Sequence, residues 1–246
     1  MFHIKTMILL HDNRIPAEYI SGIKRQFPNI EYLSFEGSTH PDALKVYDSI
    51  IGHPDIYFFQ IDSNTLIYSP SVHPKQLISL KESGVELIEG QKIPFGKYPE
   101  TALYNALRIG DHVFHNFDFT DSIVIDEIKK RGLKRINVKQ GYVRCSVLAL
   151  GDRALITSDL GVLRAARKEG LDVLHISTGS ILLPGEKYGF LGGTGGMLPG
   201  DGVIFLGDIR KHPDISGIDE MFKKHGRKYY FCENLPLYDA GGLFVF

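Results

Sequence analysis

The sequence predicts an α/β protein in which five ββαβ units stand around an axis as a five-bladed propeller, closed by its own end strands. Three observations carry this. The stretch from Gln140 to Ser177 reads as hairpin, helix, glycine stop and strand. The same order of signals recurs three more times along the chain. The N-terminus, finally, holds a unit that lacks its first strand, while the C-terminus ends on an isolated strand, Gly242 to Phe246, that can supply it.

The expected units are 242–246 with 5–37, then 55–90, 102–140, 145–177 and 188–234, forming one domain over 1–246. In the first, KTMILLHD is a strand, IPAEYISGIKRQF a helix and IEYLSFEG a strand. His40 to Ile51 reads as an extra helix inserted before the second unit. There, DIYFFQIDSNTLIYS turns at Ser63-Asn64, and the helix HPKQLISLKESG stops at Gly84 before the strand VELIEG. In the third, Gly110-Asp111 makes the hairpin turn, TDSIVIDEIKKRG the helix with Gly132 as its stop, and LKRINVKQ the last strand.

The fourth unit is the clearest. Cys145 to Leu150 is a short apolar run, Gly151-Asp152-Arg153 carries turn residues, and Ala154 to Thr157 returns. Ser158 and Asp159 offer N-cap oxygens to a helix with Leu160, Leu163 and Ala166 on its apolar face. Gly170 stops it, and Leu171 to Ile176 is too short for another helix. The fifth unit turns at Pro199-Gly200-Asp201-Gly202, and its helix HPDISGIDEMFKKHG stops at Gly226 before RKYYFCEN.

A unit of this kind covers one sheet face with its helix and cannot bury the other by itself. Ringing five such units buries the inner faces, and joining the end strands removes the open seam. The competing architecture is a doubly wound sheet, which would alternate single strands and helices rather than place a hairpin before each helix.

Composition narrows the class. With 43% hydrophobic and 23% charged residues the chain builds a core, and a formal net charge of −1 gives no electrostatic case for nucleic acid or an acidic membrane. Apolar runs such as Met7 to Leu10 are too short to span a bilayer, and no signal peptide is read. Two cysteines, Cys145 and Cys232, do not make a disulfide framework. A soluble cytoplasmic protein with no cofactor is expected; oligomeric state is left open.

By this repeat topology the chain resembles the pentein superfamily of five-bladed α/β-propellers. That superfamily includes amidinotransferases, deiminases and dimethylarginine hydrolases, and a non-catalytic branch that keeps ribosomal subunits apart. The resemblance implies a cysteine nucleophile at a first-strand start, a histidine proton carrier, and carboxylates that hold a guanidinium. Gly141-Tyr142-Val143-Arg144-Cys145-Ser146 is loosely similar to the glycine run and His-Cys pair of the enzymes. Arg144 stands where they have histidine, and Cys145 falls in the fourth unit. The C-terminal counterpart, Tyr238 to Gly242, has no cysteine.

The candidate catalytic residues are therefore Cys145 as nucleophile, His115 as acid/base and Asp208 as a polar clamp. Arg144 beside the thiol would favour the thiolate; the plain alternative is a small buried hydrophobe. His115 ends a second strand, as His11 does, and either could simply bond local backbone. His112 and His115 lie three apart on a strand and face opposite ways, which argues against a metal. Asp159 and Asp208 end second strands; capping explains Asp159, whereas the helix after Asp208 is expected only near Pro213.

Substrate-binding candidates are Asn105, Glu100, Gln140, Tyr142, Arg144, Asp159 and Tyr188, most of them near unit starts, where Tyr104-Asn105, Tyr142, Tyr188 and Tyr238-Asp239 recur. The run GFLGGTGGMLPGDG fits no phosphate loop, because a strand follows it, and reads instead as close backbone approach. Two functions follow. One is a cysteine-dependent hydrolase or transferase on a guanidino, amidine or amide small molecule in the central channel. The other is a non-catalytic propeller that binds a ligand or protein.

Overall fold

The computed structural model describes residues 7–200 and 202–246. Lys5 and Thr6 of the expected first strand and Asp201 of the last hairpin turn lie outside the described residues. Among the described residues the strands form five three-stranded sheets and one two-stranded sheet.

The first sheet joins β1 (Ile8–Asp12) and β2 (Glu31–Phe35), with α1 (Ala17–Gln26) crossing between them. The second unit opens with a short helical turn, α2 (Pro54–Tyr57), then β3 (Phe58–Gln60), β4 (Thr65–Tyr68), α3 (Pro74–Glu82) and β5 (Glu86–Glu89). The third has β6 (Leu107–Ile109), β7 (His112–His115), α4 (Ser122–Lys130) and β8 (Lys134–Asn137). The fourth has α5 (Val143–Ser146), β9 (Val147–Ala149), β10 (Ala154–Thr157), α6 (Leu160–Lys168) and β11 (Asp172–His175). A lone strand β12 (Ile181–Leu182) precedes the fifth, with β13 (Gly195–Met197), β14 (Gly202–Phe205), α7 (Ile215–Lys224) and β15 (Lys228–Phe231). The chain ends with β16 (Leu237–Tyr238) and β17 (Phe244–Val245).

In every three-stranded sheet the middle strand pairs antiparallel with the first and parallel with the third. For the first sheet the antiparallel partner is β17, with Leu9 opposite Val245 and Leu10 opposite Phe244. The chain end thus supplies the strand that the chain start lacks.

Helix boundaries follow local chemistry. Asp121 and Asp159 accept from the backbone N–H of Ile123 and Val162 and so cap α4 and α6. Gly84, Gly132, Gly170 and Gly226 end α3, α4, α6 and α7 at φ of +83°, +66°, +74° and +60°. Two expectations need correction, and one pairing is new. His40–Ile51 is not a helix but turns around a 3₁₀ segment at Ala43–Lys45. The buried face of α6 is Val162, Leu163 and Ala166, with Leu160, the first helical residue, turned out to solvent. The parallel pair β12–β16 was not expected; two residues per strand leave no readable period.

Five apolar clusters form the core, and each draws on two neighbouring units. Leu10, Phe35, Phe58 and Leu66 join the first and second; Phe59, Ile67, Val113 and Val124 the second and third. Phe114, Val147 and Leu155 join the third and fourth, and Ile156, Phe205 and Phe222 the fourth and fifth. Leu9, Ile23, Ile204 and Val245 join the fifth to the first. Burial of these side chains is the main stabilising term.

Phe244, 1% exposed, sits at the seam: its ring meets Phe58 edge-on at 6.5 Å, and Arg144 lies over it at 5.3 Å. Phe244→Ala is expected to cost about 3–5 kcal/mol in urea unfolding, and removal of residues 242–246 to abolish cooperative unfolding. An unchanged midpoint in either variant would contradict the role of the end strand.

Candidate functional site

The first strands of the units start from short turns, and those turns bring polar side chains to one place. Cys145 does not begin its strand, as the sequence suggested, but sits on the helical turn α5 before β9. Asp55 sits on the equivalent turn α2 before β3. Asn105 precedes β6, and Asp239 precedes β17. All four are buried, between 0% and 5% exposed.

The contacts are specific. The Cys145 Sγ donates to Asp55 Oδ2 at 2.6 Å. Asn105 accepts from the Cys145 backbone N–H at 3.3 Å and donates through Nδ2 to the Asp55 carbonyl at 3.2 Å and to Sγ at 3.5 Å. Asp239 accepts from the N–H groups of Phe190 and Gly241, at 2.8 and 3.0 Å. Among the described residues, two buried atoms nearby have no partner: Asp55 Oδ1 and His53 Nδ1. Both residues press against Gly241, which has φ +70° and no room for a Cβ. Gly192 and Gly193 are equally constrained: a side chain at Gly192 would strike the carbonyls of Val147, Arg144 and Cys145, and one at Gly193 the Asp239 carboxylate. The glycine run therefore serves close approach, as expected.

Arg144 is enclosed by protein atoms but keeps some accessible surface. Its Nη1 donates to the Gly192 carbonyl at 2.8 Å, and its Nη2 to those of Gly195 and Leu243 at 3.3 and 3.2 Å. That surface faces a cavity of about 470 Å³ lined by the first strands of all five units. Asp55, Asn105, Cys145 and Asp239 do not line it.

Electrostatics follow from burial. Desolvation pushes Asp55 up to about 7 and Asp239 up to about 6. It also pushes the Cys145 thiol well up, with the Asp55 and Asp239 charges adding to the effect. Arg144 is lowered by burial, against the pull of Asp55. The expectation that Arg144 leaves Cys145 as a thiolate is thus reversed: two acids and burial outweigh one guanidinium.

The other predicted residues lie outside this group. His115 is fully buried, bonded through Nδ1 to Thr120 Oγ1 at 2.6 Å and through Nε2 to the Gly141 carbonyl at 2.8 Å, so both ring nitrogens are already engaged. Asp208 caps a 3₁₀ turn at Ile209–Lys211 and pairs with Arg210 at 2.8 Å, which holds its carboxyl below the usual range. The turn lies ahead of the helix read from the sequence, which is why Asp208 looked unexplained. Asp159 caps α6 and accepts from Gln140 Nε2, while the Gln140 Oε1 accepts from the Tyr142 N–H. Tyr142 shares a hydrogen bond with Thr101. Tyr188 packs edge-on against Phe190, and Glu100 lies in a surface groove beside Phe95 and Phe119.

The sequence therefore pointed to Cys145, Asn105 and Arg144, marked Asp239 only as part of a recurring tyrosine position, and left Asp55 and His53 unmarked. The available signal was the repeat itself: HPDIYFF and GYVRCSVLA place Asp55 and Cys145 three and two residues before their first strands. His112 pairs with Glu169. Among the described residues, no group of three or more His, Cys, Asp or Glu is placed to hold a metal, and no helix is long and apolar enough to cross a membrane.

Residues 12–244 match the family described as "Family of unknown function (DUF6873)". The chain belongs to that family. No curated protein matches it. Among solved structures, the inosamine-phosphate amidinotransferase from Streptomyces griseus is similar at TM-score 0.54 and 12% identity, over 94% of this chain and 79% of that one. A substrate-bound agmatine deiminase of C. jejuni is similar at TM-score 0.51 and 10% identity, over 92% and 87%. An amidinotransferase of Microseira wollei from saxitoxin biosynthesis follows at 0.50 and 10%, over 92% and 88%. These are pentein superfamily members, and the chain has a pentein-like α/β fold.

The buried acids set a pH signature. An acid raised in the folded state contributes stability that is present below its unfolded value and is lost as pH rises through its folded value, here from about 4 to about 7 for Asp55. His53 and His115, both lowered to about 4 by burial, act oppositely and lose stability as pH falls below about 6.5. Asp55→Asn, which copies the protonated acid, is expected to remove the decline between pH 5 and 7.5 and to exceed the parent in stability at pH 8. Urea midpoints across that range with the parent's slope would contradict a raised Asp55.

Proposed function

We propose that the five sheets close around one axis as an α/β-propeller, and that the chain acts at its centre on a small molecule bearing an amidino or guanidino group. The closure is supported by the ring of shared apolar clusters and by a cavity that touches all five first strands. The activity rests on a single observation. Asp55 holds the Cys145 thiol with one carboxylate oxygen while its other oxygen, fully buried, has no partner among the described residues. A buried carboxylate in that state favours a cation with N–H donors. An amidinium provides both, and the second buried acid, Asp239, adds to the attraction. The same fold carries amidinotransferases and an agmatine deiminase, which supports the substrate class by analogy.

The chemistry then needs few parts. The bound cation lowers the thiol, and the Cys145 proton passes to Asp55, the carboxylate it already touches and one that burial raises well above the usual range. The thiolate attacks the amidino carbon, forming a C–S bond. The C–N bond to the leaving amine breaks as that nitrogen takes the proton. Water or an acceptor amine then attacks the carbon, the C–S bond breaks, and the thiol returns to its resting form. Asn105 holds Sγ in line throughout.

A second reading is favoured by the resting thiol, which keeps its proton and bonds to no histidine among the described residues: a propeller that binds such a ligand without turning it over. Alkylation in a Cys232→Ser background separates these outcomes. Chloroacetamidine is expected to label Cys145 at least tenfold faster than neutral chloroacetamide at pH 7.5, and Asp55→Asn to erase the difference. Equal rates would sink the cationic pocket. Release of ammonia or amine from guanidino compounds that is lost in Cys145→Ser marks the enzyme; binding without release in either protein marks the binder.

A further inference from the structure

The cavity beyond Arg144 is a separate place from the thiol and its acids, and its chemistry is different. Every first strand reaches it, through Gln60, Leu107, Leu148, Met197 and Val245 among others. The hairpin turns form its rim, with Ser63, Gly110, Asp152 and Pro199. Arg144 belongs to the turn ahead of β9, so it lies at the opposite, inner end.

The walls are mostly apolar, and the polar groups are unequal in sign. Arg108 donates through Nε to the Gly110 carbonyl at 2.7 Å and through Nη1 to that of Ile61 at 2.9 Å. Among the described residues its Nη2 makes no hydrogen bond. Arg144 engages its two Nη atoms as above, and among the described residues its Nε makes none. Of the two acids, Asp62 is already paired with Arg131 at 2.7 Å, and Asp152 is exposed at the rim. The Gln60 amide is tied to the Val245 carbonyl at 3.0 Å. What remains inside is two guanidinium groups with N–H donors to spare, set in apolar walls.

We propose that this cavity is a second binding site, for a small organic carboxylate with an apolar body. An arginine fork matches a carboxylate in plane and charge. An amine would face two like charges, and a ligand with no charge would bury guanidinium donors unpaired. A bare inorganic anion would leave the walls of Leu107, Leu148 and Met197 wet. A volume of about 470 Å³ falls in the range that holds a metabolite-sized molecule.

The probes are octanoate and benzoate, with inorganic phosphate and hexylamine as controls, read by calorimetry and by thermal shift on the full chain. Either carboxylate is expected to bind with Kd below about 1 mM. Arg108→Gln should weaken it at least tenfold by removing one guanidinium, and Ala149→Leu should do so by filling the cavity. Ala149→Leu must melt as the parent does without ligand; if it does not, Arg108→Gln carries the test. Phosphate or hexylamine binding as tightly as the carboxylates overturns the proposal. So does failure of both carboxylates to bind, or an affinity unmoved by Arg108→Gln. Cys145→Ser is expected to leave carboxylate binding intact, so this site and the amidino site fail or stand separately.

Discussion

A three-stranded sheet crossed by one helix has a second face that it cannot cover alone. The fold of this protein follows from that shortage. Each of its five apolar clusters is shared between neighbouring units, so that no unit owns a complete core. The seam between the last and first units is where the shortage is most acute. It is met twice over, by β17 pairing with β1 and by Leu9, Ile23, Ile204 and Val245 packing across it. Phe244 and Arg144 add a third tie, because the guanidinium that lies over the ring also donates to carbonyls of the fifth unit and of the end segment.

That packing has a consequence at the centre. Where turns from several units converge, the backbone needs room, and glycines at 192, 193 and 241 provide it. The same convergence gathers side chains that no single unit could assemble: an acid from the second, an amide from the third, a thiol and a guanidinium from the fourth, and an acid from the end segment. Crowding removes water from them, and their charges become expensive. Asp55 and Asp239 rise and the thiol stays protonated. Arg144 stands at the boundary: its charge acts on Asp55 and Asp239 on one side, and its surface lines the mostly apolar cavity on the other.

Much of the fold could be read in the sequence because its signals are local. The glycine stops at Gly84, Gly132, Gly170 and Gly226, the capping carboxylate of Asp159, and the alternation of hairpin and helix each depend on a few adjacent residues. Even the pairing of the chain ends followed from counting strands per unit. Features without a local signature escaped: the 3₁₀ turn that gives Asp208 its role, and the two-residue strands β12 and β16.

The candidate site divides along the same line. The sequence by itself determined that Cys145, Asn105 and Arg144 stand at unit starts, since that position is fixed by the repeat. Only the tertiary structure decided their chemistry. The thiol's partner is 90 residues away in Asp55, and Asn105 is 40 away. Arg144 next to Cys145 in sequence suggested a thiolate; in space, two carboxylates and the loss of water prevail. His115 looked free at a strand end and is spent on Thr120 and Gly141. Propensity and period act over a few residues along the chain. A side chain's partner and its proton are set by whatever lies within a few ångströms in space, and here that is settled by how five units meet.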